Sequence, residues 1–140
     1  MFKLGATGFI KYQNKILLLK RSANEKLLPN FFEMPGGKIK FGETAEQALV
    51  REIKEETNLT VKVLVLYNVF NYLSADQKTQ TFDLQFICRL KTIKGLKLSS
   101  EHESYLWISP KDINKLKISP EMRQAILNGF KFRHCEKRSR

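Results

Sequence analysis

Residues 44 to 57 carry a helical pattern with acids inside its apolar stripe, and few folds can accept that combination. Thr44 can cap the start while Gln47 reaches back to it. At about 100° per residue, Ala45, Ala48, Leu49 and Ile53 form one stripe that should face a sheet. Glu52 and Glu56 fall inside it, about 40° apart between Ala48 and Leu49 in projection, and Glu55 flanks them beside Arg51. Like charges at helical spacing cost roughly 0.2–0.5 kcal/mol per pair, and burying an unpaired carboxylate costs several times more. Arg51 can pair with one acid, but Lys54 points to the opposite side of the helix. A divalent cation is therefore the fitting partner for the rest. The alternative, a solvated and salt-bridged face, suits glutamate runs in general but not one set in an apolar stripe. With no histidine or cysteine nearby in the sequence, all-oxygen ligation suggests magnesium, with manganese possible, in preference to zinc.

The rest of the chain supplies the sheet. Residues 3 to 12 and 15 to 20, separated by Gln13-Asn14, read as a hairpin, and the run from Ile16 to Leu19 should be buried on both faces. A short strand over residues 31 to 34 should end at Pro35-Gly36-Gly37. Residues 60 to 73 and 79 to 91 alternate apolar and polar side chains around a polar loop, which predicts two long strands, and residues 105 to 108 a further short one. Ser109-Pro110 opens a turn of helix, and Ser119-Pro120-Glu121 caps a final helix that Gly129 should stop. Interleaved strands and helices make the class α/β or α+β.

A chain of 140 residues with 42% hydrophobic composition can build one core. We read residues 1–130 as a single domain and 131–140 as a basic C-terminal tail. No run of eighteen apolar residues and no signal-like N-terminus is present, so the expectation is a soluble, unprocessed chain without a membrane partner. Cys88 and Cys135 have neither paired spacing nor neighbouring histidines, which points to a reducing, cytoplasmic setting and no zinc site. The formal charge of +11 suits nucleic acid, an acidic membrane surface or a small polyanion such as a nucleotide, and does not choose among them. Lys131, Arg133, Lys137, Arg138 and Arg140 lie beyond the last apolar periodicity, where a solvated tail is favoured over a nucleic-acid arm.

Gly37, Glu43, Arg51, Glu52, Ile53, Glu55, Glu56 and Leu59 stand at the spacing Gly, five residues, Glu, seven residues, Arg-Glu-apolar-x-Glu-Glu-x-Gly-apolar. This segment resembles the box of the Nudix hydrolase family, MutT-like members included. Six strict matches would arise by chance on the order of 10⁻⁷ per starting position. One position departs: the second glycine is Asn58, the next-best residue for a left-handed helix stop. The resemblance implies an α/β/α sandwich with a central mixed sheet, and divalent-metal-dependent cleavage of the diphosphate in a nucleoside diphosphate linked to another group. It also implies that Glu52, Glu55, Glu56 and the carbonyl of Gly37 ligate metal, with Glu43 and Arg51 as their supporting pair.

Within that reading Glu52 is the first candidate for general base, and the later-loop acids Glu101 and Glu103 are alternatives, as base or as an extra ligand. Arg21 and Lys38 occupy positions from which a cation could meet phosphates. Phe31, Phe32, Tyr72 and Phe82 offer rings for a base or for the core. The leading substrate class is a nucleoside triphosphate. ADP-ribose or a nucleotide sugar comes next, and a non-catalytic module that binds RNA or a partner is the alternative of another class.

Overall fold

The computed structural model describes residues 1–133 of the 140-residue chain, so Cys135, Lys137, Arg138 and Arg140 lie outside the described residues. Strands β1 (Phe2–Tyr12) and β2 (Lys15–Arg21) form the expected hairpin. Gln13 and Asn14 both take positive φ, 50° and 65°, the backbone that a two-residue turn needs to match strand twist. Next come β3 (Phe32–Glu33), β4 (Gly36–Lys38), helix α1 (Ala45–Thr57), β5 (Lys62–Leu73), β6 (Gln80–Arg89) and β7 (His102–Ile108). A 3₁₀ turn (Pro110–Lys115) and helix α2 (Pro120–Lys131) complete the order.

The sheet is mixed. β1 runs parallel to β6 from Phe2 opposite Gln80 to Lys11 opposite Arg89, while β5 pairs β6 and β7 pairs β2 antiparallel. The strand order is β3-β2-β1-β6-β5, with β4 added on β1 and β7 on β2. On one face Leu49 and Ile53 of α1 pack with Ala6, Ile10, Leu17 and Leu19. On the other, Ala125 and Ile126 of α2 pack with Phe9, Ile16, Leu18 and Ile87. The run Ile16–Leu19 thus alternates between two cores and is buried on both sides. The result is an α/β/α sandwich. Among the described residues no helix is long and apolar enough to cross a membrane.

Two expectations need correction. Pro35-Gly36-Gly37 does not simply end a strand: Gly36–Lys38 is itself a strand, antiparallel to β1, with Ala6 opposite Gly37 and Thr7 opposite Gly36. Gly129 does not stop the last helix, which continues to Lys131. A Cβ on Gly129 would lie 2.2 Å from Cδ2 of Phe9, so this glycine serves the close approach of α2 to the sheet.

Candidate functional site

Helix α1 forms as its sequence dictates. Thr44 accepts the Gln47 N–H at 3.1 Å and the Gln47 side chain accepts the Thr44 N–H at 3.0 Å. At the other end Asn58 takes the left-handed conformation, φ 63°, and its N–H closes on the Lys54 carbonyl. The stripe of Ala48, Leu49 and Ile53 is fully buried, and the acids within it are carried under β4.

The contact is tight. A Cβ on Gly37 would lie 2.4 Å from the Glu52 carboxyl carbon, so any larger residue there would push that carboxylate aside. Glu56 accepts the Gly36 N–H at 3.0 Å and is 6% exposed. Burial pushes its carboxyl up to about 9, and its charged neighbours Glu33, Glu52 and Glu101 are all acids that push the same way. Glu55 stands at the outer edge, with 56% of its side chain exposed.

Arg51 ties the helix to the loop that precedes it. Its guanidinium grips Glu43 with two donors, at 2.7 and 2.9 Å, reaches Glu52 at 2.8 Å and Glu55 at 3.4 Å, and donates to the Lys38 carbonyl at 3.0 Å. The Arg51 hydrogen bond, backed by the Lys40 N–H, holds the Glu43 carboxyl down at about 2. Arg51 therefore fixes Glu52 and the end of β4 together, which sets where the Gly37 carbonyl lies.

The end of α1 also recruits distant residues. The helix leaves its last carbonyls open, and the chain after β6 fills two of them: Lys97 N–H donates to Thr57 and Ser99 N–H to Glu56, both at 3.0 Å. This docking delivers Glu101 and His102 to Glu56, with one ligand atom from each of the three within 4.8 Å of the others. The expectation that no histidine lies near the acids is thereby corrected. His102 is distant in sequence, and pairing of β7 with β2, His102 opposite Arg21, brings it in.

The other expected residues are placed as follows. Glu103, next along β7, pairs with Lys20 at 3.0 Å and is not brought to the cluster. Arg21 is committed to Glu33 at 3.2 Å and to the Leu27 carbonyl at 2.9 Å. Phe32 packs against the second core, and Lys38 is exposed at the end of β4. The Phe31 ring carries the Lys117 ammonium 4.7 Å from its centre, and Phe82 packs with Phe2.

Sequence reasoning passed over Glu33 and a polar chain on the α2 face of the sheet, and it singled out His102 in the later loop without connecting it to the acids of α1. In that chain Thr7 donates to both oxygens of Asp83, at 2.9 and 2.7 Å, and Gln85 donates to Asp83 at 2.9 Å. Asn68 donates to Gln85 at 2.8 Å and Asn128 to Asn68 at 3.0 Å. Burial raises the Asp83 carboxyl above the ordinary carboxylate range. The chain starts beside β4, since Thr7 is opposite Gly36. Polar residues at Asp83 and Gln85, two apart among Phe82, Leu84, Phe86 and Ile87, were its signal.

A buried acid among acids, lying against the glycine backbone of β4, is a donor set that could hold a cation. The family model of the NUDIX domain matches residues 1–128.

The chain belongs to the Nudix family.

This Nudix chain is 44% identical over 80 residues to a Methanocaldococcus jannaschii protein named ADP-ribose pyrophosphatase, covering 57% of this chain and 46% of that one. It is 39% identical over 72 residues to the Escherichia coli K12 protein named 8-oxo-dGTP diphosphatase, covering 51% of this chain and 56% of that one. It thus spans about half the length of these relatives. The crystal structure of a MutT protein from Methanosarcina mazei Go1 superposes with a TM-score of 0.79 at 23% identity, covering 93% of each chain. The sandwich and its mixed sheet are those of the Nudix fold.

Proposed function

We propose that the chain is a magnesium-dependent pyrophosphohydrolase of nucleoside triphosphates. The observation that carries this reading is the placement of Glu52 and Glu56 against the backbone of Gly36 and Gly37. Glu52, Glu55, Glu56 and the Gly37 carbonyl would hold the cation. When bound, a divalent cation supplies Lewis acidity at the phosphoryl oxygens and acidifies a neighbouring water.

The chain's own residues do the rest. Arg51 keeps Glu52 oriented through the 2.8 Å bond, which prepares that carboxylate to take the proton of the attacking water. Glu43 holds Arg51 in turn and stays ionised at any physiological pH. The positive formal charge of the chain attracts an anionic substrate.

Magnesium-dependent phosphate release from a panel of nucleoside triphosphates, with inorganic pyrophosphatase as coupling enzyme, tests the reading. Turnover of at least one triphosphate is expected, and Glu55→Gln or Glu56→Gln should abolish it. Full activity in both variants would refute the site. The similarity to a protein named ADP-ribose pyrophosphatase supports a second reading, that ADP-ribose or a nucleotide sugar is cut instead. Including those compounds in the panel decides between the two. A binding module without turnover would release nothing from any of them.

A further inference from the structure

We propose that Glu56, Glu101 and His102 form a mixed oxygen–nitrogen site for a first-row transition cation, of the manganese or cobalt class, with Glu33 holding the imidazole in place. The proposal rests on the reading above that these acids hold cations. It adds a nitrogen ligand from β7 and with it a preference over magnesium.

Four observations converge on His102. Its side chain is 1% exposed, and its Nε2 lies 2.8 Å from Glu33 Oε2. A carboxylate can only accept, so Nε2 donates to it, and in the neutral ring that a metal ligand must be Nδ1 presents the lone pair. Nδ1 is buried and has no hydrogen-bond partner, and the other such side-chain atom among the described residues is Oγ of Ser99, in the loop that leads into β7. A buried acceptor left unpaired is destabilising, and a bound cation would satisfy it. Finally, a ring nitrogen of His102 and carboxylate oxygens of Glu56 and Glu101 lie within 4.8 Å of one another. Ligands on one octahedral ion with bonds of about 2.1 Å sit roughly 3 to 4 Å apart, so a small side-chain closure completes the set.

The surroundings fit the same purpose. A metal-bound imidazole usually donates its other N–H to a carboxylate, which fixes its tautomer and raises its basicity. Glu33 does this here and is itself steadied by Arg21 at 3.2 Å. Glu101 is held through its backbone, whose carbonyl accepts the Ser22 N–H at 3.1 Å. Magnesium prefers oxygen ligands and keeps its waters, whereas imidazole suits transition ions. One nitrogen among oxygens therefore tilts the site toward the latter.

The test uses the full-length protein with manganese as the probe. Pulsed electron paramagnetic resonance of the wild-type manganese complex should show coupling to a directly bound imidazole nitrogen. His102→Asn should abolish that coupling and weaken manganese binding about 10- to 100-fold, and Glu33→Gln should weaken it about 10-fold. Magnesium binding, by titration calorimetry, should change less than roughly threefold in either variant. The wild-type measurement stands even if His102→Asn fails to fold. A wild-type manganese complex with no nitrogen coupling overturns the proposal, and magnesium-dependent turnover in that protein would leave the hydrolase reading standing. A protein that neither turns over nucleotides nor binds either ion would sink both.

Discussion

Glu56 places function and stability in opposition, and the size of that opposition follows from its surroundings. In the metal-free protein burial pushes its carboxyl up to about 9 from an ordinary 4.5. Between those values the folded chain keeps a proton that the unfolded chain has released, so stability falls as pH rises across that window and is fully kept below it. At 1.36 kcal/mol per unit, the loss by pH 7 is roughly 3 kcal/mol. Glu56→Gln removes the ionisation but keeps an oxygen for the Gly36 N–H, so the metal-free variant should be the more stable protein at pH 7 and equal to wild type near pH 4.5. Urea unfolding in a chelator at a series of pH values measures the gap. With a urea slope of about 1–3 kcal/mol per molar, the midpoints should part by at least about 1 M at pH 7. Saturating magnesium should raise the wild-type midpoint more than that of the variant, since only wild type offers the charge. Equal midpoints at pH 7 in chelator, or a gap that widens toward acid, would refute the reasoning.

Substitutions at three further positions separate the site from its scaffold. Gly37→Ala sets a Cβ 2.4 Å from the flexible end of Glu52, so turnover should fall about 100-fold or more while the unfolding free energy changes by less than about 1 kcal/mol. Gly129→Ala drives a Cβ into the Phe9 ring and should cost about 1–3 kcal/mol by urea unfolding, with KM unchanged. Asn58→Gly should be close to neutral in thermal unfolding, whereas Asn58→Ala, forced to φ 63° without the Asn58 bond to the Gly95 carbonyl, should cost about 1 kcal/mol.

What could be read in advance was whatever repeats locally. The capping box at Thr44, the left-handed stop at Asn58 and the bulk of α1 lie in one continuous segment, where a period of 3.6 residues and two end signals decide the structure. The β1–β2 hairpin was equally legible, because a two-residue turn fixes its register. The pairing of Gly36–Lys38 with β1 was not. Three residues, two of them glycine, carry no period, and their strand exists only because β1 offers an unpaired edge there. Gly129 reads as a helix stop from composition, but nothing in its neighbourhood announces the ring of Phe9 across the core.

The candidate site divides along the same line. The acids of α1 were visible because a helix projects them by a simple rotation, and an apolar stripe with charges in it is anomalous on its own terms. Glu33, Glu101 and His102 reach Glu56 through three separate non-local events: β3 and β7 pairing with β2, and the Ser99 N–H capping the Glu56 carbonyl. No spacing encodes those. The division has a consequence for chemistry. Residues on α1 face a shared task and should tolerate little change, while the groups that arrive by sheet pairing can vary without unmaking the helix. A chain of this fold can therefore retune the cation it prefers by exchanging one residue at the start of β7 and leaving the helix alone. The position of His102, packed against an otherwise all-oxygen cluster, is where such a change would act.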